Sequence, residues 1–158
     1  MAKALHSPAQ NYLNYLFGHD YDRMMTDLSD FLFGNPGNRI LIVRCGRSTG
    51  KCTFTRIIKN GLPDRVRDNF CAKQTAINIV SVDTYDILER YVKTFHDLPI
   101  DAKPIVILMA NFDNKLSELV KCRIDGFLDF KNPFKNEHRG FVDHAQDIIK
   151  IIREYESY

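Results

Sequence analysis

Three apolar runs, Ile40-Leu41-Ile42-Val43, Thr75 to Val82 and Ile105 to Ala110, constrain this chain more than any other feature. They are strand-like in length and too apolar to leave a face in water. Segments with helical spacing separate them: Phe54 to Lys59, and Tyr85 to Phe95, where Ile87, Leu88, Tyr91, Val92 and Phe95 recur on one side. Strands apolar on both faces, alternating with amphipathic helices, predict a mainly parallel sheet covered by helices on each face. The fold class expected is therefore α/β in three layers. Ligands in such sheets bind beyond the carboxyl ends of the strands.

The remaining segments fit around that sheet. Residues 1–10 read as a flexible lead-in, and residues 11–158 as a single domain. Within it, residues 11–37 carry N-terminal helices broken at Gly18-His19-Asp20, and residues 38–158 form the core. Leu116 to Val120 reads as a short helix, Phe127 to Phe130 as an edge strand and Phe141 to Tyr155 as a terminal helix. With 158 residues, 44% of them hydrophobic, the chain is long enough to bury a full core. A net charge of +2 demands no polyanionic partner. The four cysteines, Cys45, Cys52, Cys71 and Cys122, form no Cys-x-x-Cys pair, and the histidines show no metal-ligand spacing. No apolar run reaches the ~20 residues of a membrane span. A soluble, intracellular protein is expected, with no membrane association.

The turn after the first run carries the chemistry. Cys45-Gly46-Arg47-Ser48-Thr49-Gly50-Lys51-Cys52-Thr53 joins a buried strand to a helix, the context of a phosphate-binding P-loop. Backbone N–H groups of Gly46, Arg47, Ser48, Thr49 and Gly50 would face phosphate oxygens. Lys51 would neutralise the outer phosphates, aided by the helix N-terminus. The spacing departs from the full pattern: three residues, not four, separate Gly46 from Gly50. The hydroxyl expected after the Lys is replaced by Cys52. Mg²⁺ prefers oxygen ligands, so Thr53 is the better metal-ligand candidate, with Cys52 a softer substitute.

Two further candidates end strands. Asp83 follows the second run, where a carboxylate in a P-loop protein holds Mg²⁺; its other reading is a cap for the next helix. Thr84 stands where hydrolases often carry a second acid. Asn111 follows the third run, placed to orient a water near a terminal phosphate, or simply to make a turn.

Together these segments resemble the superfamily 3 helicases of small DNA viruses, which are AAA+-type replicative ATPases. Asn38 to Gly46 through Thr49-Gly50-Lys51 is similar to their Walker A strand and loop, and Ile77 to Asp83 occupies the Walker B place. Pro104 to Asn111 is similar to their motif C. Cys122-Arg123-Ile124 to Phe130-Lys131-Asn132-Pro133-Phe134 is similar to the papillomavirus helicase. The resemblance runs from about Asp27 to Tyr155. It implies ATP and Mg²⁺ as cofactors, a homo-oligomeric ring and single-stranded DNA or another nucleic acid as partner. A host nucleus or cytoplasm would be the location. It also implies that nucleotide sits between subunits, with Arg123 acting as an arginine finger on a neighbour's site. Between Asp83 and Asn111 these helicases carry a DNA-gripping hairpin; here the interval is short, and His96 and Lys103 are the nucleic-acid candidates.

An ATP-dependent helicase domain is thus the first expectation. The short loop, Cys52 and Thr84 support a second, a catalytically weakened nucleotide-binding or oligomerisation module on the same fold. A P-loop small-molecule kinase would need an arginine-rich lid, to which only Arg65 and Arg67 would contribute.

Overall fold

The structure, a computed structural model, describes residues 7–34, 39–45, 51–67, 76–99, 104–110, 112, 114–130 and 143–155, without the side chains of residues 45 and 51–53. Helix α1 (Pro8–Phe17) opens the chain. It begins inside the stretch read as a lead-in: Pro8 supplies a helical φ at the first turn, and the Ser7 side chain accepts from the Gln10 N–H at 3.1 Å. Gly18, with φ of 55°, ends it in a backbone conformation that side chains disfavour. A 3-10 turn (Gly18–Asp20) then leads into α2 (Tyr21–Phe33).

Among the described residues four strands follow, β1 (Ile40–Cys45), β2 (Ile77–Val82), β3 (Ile105–Ala110) and β4 (Gly126–Phe130). They alternate with α3 (Lys51–Gly61), α4 (Tyr85–Asp97) and α5 (Glu118–Lys121), and α6 (Ala145–Arg153) closes the chain. Their order in the sheet is β2-β3-β1-β4, and every pairing is parallel. The expected α/β class holds, and β4 lies at an edge as its short alternating pattern predicts. Residues 65–67 run beside the other described edge: Val66 bridges Ile77, and the Ile77 N–H donates to the Arg65 carbonyl at 2.8 Å.

Strand alternation sorts the core into two layers. Leu41, Val43, Ile107, Met109 and Leu128 face one way and pack with α1, α2, α3 and α6. Ile40, Ile42, Val106, Leu108 and Ala110 face the other way and pack with α4 and α5. This is why the central runs are continuously apolar: β3 is buried along its whole length.

The winding follows from handedness. A parallel strand–helix–strand crossover is right-handed. The chain moves from β1 to β2 in one direction, so α3 covers one face. It returns through β3 and across to β4, so α4 and α5 cover the opposite face. The adjacent strands β1 and β3 therefore lead into connections on opposite faces, which opens a crevice between their carboxyl ends.

Candidate nucleotide site

That crevice is the topological switch point at which doubly wound sheets bind ligands. The strand ends are level: Val82 pairs with Ala110, Ala110 with Arg44, and Cys45 with Phe130. Residues 46–50 follow β1 directly, and α3 starts at Lys51, so Lys51, Cys52 and Thr53 occupy its first turn. The first backbone N–H groups of a helix have no partner inside it and point out along the axis. No acidic residue occupies this turn. Gly46, Arg47, Ser48, Thr49, Gly50, Asn111 and Lys103 lie outside the described residues, as do the side chains of Lys51, Cys52 and Thr53.

Asp83 is described. It is exposed, one residue beyond β2 at the same edge of the sheet. One strand separates β2 from β1, so the two strand ends lie about 10 Å apart. The alternative reading of Asp83 as a helix cap is not what the structure has. The cap is its neighbour: the Thr84 hydroxyl accepts from the Ile87 N–H at 3.3 Å and starts α4. The residue at the second-acid position therefore has a structural task of its own.

Arg123 and His96 are elsewhere. Arg123 follows α5 in a turn, its N–H bonded to the Val120 carbonyl at 3.0 Å, before β4 begins at Gly126. It shares a cleft with Arg39, His96 and Asp125, all at the amino ends of the strands or the carboxyl end of α4. The five residues of β4 separate this cleft from the carboxyl edge, about 16 Å at ~3.3 Å per residue. The structure thus brings Asp83 and the start of α3 to one edge of the sheet, and Arg123 and His96 to the other.

Sequence reasoning passed over Arg44. It is the penultimate residue of β1, on the face shared with Ile40 and Ile42. Its Nη2 meets Asp129 Oδ2 on β4 at 2.8 Å, and its Nε meets Oδ1 at 3.4 Å. Its Nη1 donates to the Asn114 carbonyl at 2.7 Å, and its guanidinium carbon lies 5.0 Å from the Phe127 ring centre. The available signal was an arginine inside an otherwise apolar strand. Among the described residues no group of His, Cys, Asp and Glu is arranged to hold a metal by itself, and no helix is long and apolar enough to cross a membrane.

No protein-family model matches the chain, and no curated protein matches it. Solved structures do. The apo C-terminal region (305-718) of NrS-1 aligns with a TM-score of 0.62 at 14% identity, covering 96% of this chain and 46% of that one. A ligand-bound structure of JCV Helicase aligns with a TM-score of 0.50 at 10% identity, covering 92% of this chain and 50% of that one. The chain thus spans about half the length of the solved chains it matches. Helices on both faces of an all-parallel sheet, wound in the order β2-β3-β1-β4, give the chain the expected α/β fold, and it is the fold these solved structures share.

Proposed function

We propose that the chain is the ATP-dependent helicase domain of a viral-type replication protein, binding nucleotide between subunits of a homo-oligomeric ring. The observation that carries this reading is the course of β1. A central strand, apolar from Ile40 to Val43, runs to the switch point and hands over, through residues 46–50, to a helix that starts at Lys51. Glycine-rich backbone and a helix N-terminus at that place suit a polyphosphate. The helicase-type fold of the neighbours supports nucleic acid as the partner.

In this reading Lys51 and the amides of the 46–50 loop bind the phosphates. Thr53 or Cys52, with Asp83, holds Mg²⁺, and an exposed carboxylate at the strand end is a fitting hard donor. Mg²⁺ held there would supply positive charge to offset the negative charge of the phosphates. Asn111 orients the attacking water. Arg123 serves a neighbour, because the length of β4 removes it from its own subunit's site. His96 and Lys103 contact the nucleic acid.

A second reading has a specific observation in its favour. The Thr84 hydroxyl is engaged at the start of α4, so Asp83 has no adjacent acid. A module that binds nucleotide without turning it over fits that arrangement. ATP binding by the wild type and by Lys51→Ala tests the shared claim, since unchanged binding in the variant would remove the phosphate site. Turnover with single-stranded DNA separates the readings. Turnover lost in Arg123→Ala with binding kept supports the helicase; tight binding without turnover in the wild type supports the module.

A further inference from the structure

We propose that the cleft at the amino ends of the strands is a phosphate-binding site, in which Arg39, His96 and Arg123 together take pyrophosphate or the terminal phosphates of a nucleoside polyphosphate. The nucleotide reading above supplies one source of those phosphates; the cleft itself stands on its own residues.

His96 and Arg123, given separate tasks above, line one cleft with Arg39 and Asp125. They reach it from three parts of the chain. Arg39 immediately precedes β1, His96 lies in the last turn of α4, and Arg123 lies in the turn between α5 and β4. Among the described residues neither the Arg123 guanidinium nor the His96 ring has a hydrogen-bond or ion-pair partner. Arg39 is 8% exposed, so little water is left to solvate its charge. The one carboxylate among the described residues that line the cleft is already committed. Asp125 Oδ2 accepts from the Arg39 and Ile40 N–H groups at 2.6 and 2.8 Å. Two arginines against one aspartate leave the cleft net positive.

Those groups select an oxyanion. An arginine fork bonds two phosphate oxygens at once, and an imidazole N–H adds a further donor. A neutral ligand would leave such donors unsatisfied. The cleft encloses about 130 Å³, several times the ~30 Å³ share of one water in the liquid, which gives room for a phosphate group. A nucleic-acid strand is the weaker match, because the cations converge on one cleft and do not form a track along the surface. The length of β4 sets the cleft about 16 Å from the carboxyl edge, so its phosphates come from free nucleotide or from one presented by a second copy of the chain.

Cys122 is an exposed free thiol that lines the same cleft, and so reports its occupancy. A bound anion covers the thiol and disfavours the thiolate that reacts. The test follows N-ethylmaleimide labelling of Cys122 by peptide mass spectrometry. The probe is inorganic pyrophosphate without Mg²⁺, compared with sodium chloride at matched ionic strength. Saturating pyrophosphate should slow labelling roughly threefold or more. Arg123→Gln and Arg39→Gln should each abolish that protection, and Arg123→Lys should keep part of it, since the charge remains without the fork. Equal labelling in pyrophosphate and chloride overturns the proposal, as does protection that survives both glutamine variants. Should Arg39→Gln not fold, Arg123→Gln decides. Single-stranded DNA that protects Cys122 where pyrophosphate does not also overturns it. ATP separates the two sources, and either result supports the site. Protection by ATP that persists in Lys51→Ala means free nucleotide enters the cleft; protection by ATP lost there, with pyrophosphate still protecting, means a second copy presents it. Wild type that is protected by pyrophosphate yet binds no ATP overturns the nucleotide reading and leaves this site standing.

Discussion

Asp125 and Ile40 clasp each other across the amino edge of the sheet. Asp125 Oδ2 accepts from the Ile40 N–H at 2.8 Å, and the Asp125 N–H donates to the Ile40 carbonyl at 2.8 Å. The same carboxylate oxygen accepts from the Arg39 N–H at 2.6 Å. One side chain thereby satisfies two backbone donors at the start of β1 and fixes where β4 begins. Asp125→Ala is expected to lower the free energy of unfolding by about 2 kcal/mol, the scale of charge-assisted bonds lost from partly buried donors. Asp125→Asn, which keeps an acceptor oxygen without the charge, should cost roughly half of that. Urea titration checks both, and a neutral Asp125→Ala would mean that water replaces the carboxylate at no cost.

Thr84 gives a prediction that separates stability from chemistry. Thr84→Ala removes the hydroxyl that caps α4 and should cost roughly 0.5–1 kcal/mol. Thr84→Asp should fold with nearly wild-type stability, because Asp is an equally good cap. It also sets a carboxylate beside Asp83. Under the helicase reading, Thr84→Asp raises DNA-stimulated turnover; a rate no higher than wild type would show that the missing second acid does not limit it.

Gly61 lies against Ile149 and Ala145 where α3 packs on α6. A Cβ built there would collide with Ile149 Cγ1 and lie 3.2 Å from the Ala145 carbonyl oxygen. Ile149 is 1% exposed and has nowhere to move. Helix propensity favours Ala over Gly by about 1 kcal/mol, but overpacking a rigid contact costs about 1–3 kcal/mol. Gly61→Ala should therefore destabilise by about 1 kcal/mol net. The clash is with Cγ1, so in Gly61→Ala/Ile149→Ala the two costs should sum to less than the separate losses. Thermal unfolding of the single and double variants measures the difference.

The Tyr155 hydroxyl donates to Asp22 Oδ1 at 2.6 Å and ties the end of α6 to α2. Burial, followed by the bond to Asp22 and its charge, pushes this phenol up from its ordinary value of 10.0 to about 12. The folded state thus holds the proton more tightly than the unfolded state does. Its contribution is fully present below pH 10 and is lost as pH rises through about 12. The stability of wild type relative to Tyr155→Phe should fall across that window. Tyr12 and Tyr21 are also raised, chiefly by burial, so the difference between the two proteins, and not the wild-type curve alone, isolates Tyr155. A constant difference across the window would show that the Tyr155 proton is not linked to folding.

The sequence by itself determined the local elements, the fold class and the motif order. Ile40 to Val43 and Ile105 to Ala110 had to be buried strands because each is apolar at every position, and only a sheet covered on both faces hides such a run. The spacing of Leu88, Val92 and Phe95 likewise set the buried stripe of α4. The position of Asp83 just past a strand was legible for the same reason. What the tertiary structure decided were relations between segments distant in the chain. Insertion of β3 between β1 and β2 depends on pairing energies and crossover handedness, which no local period encodes. The partners of Arg44, 70 and 85 residues away, follow from that order. So does the separation of Arg123 from the edge where α3 begins, since it takes the direction of β4 to say which end of the sheet a turn occupies. Thr84 lay between, because its hydroxyl was visible in the sequence but its choice of the Ile87 N–H over a neighbour's site was settled only by where α4 starts.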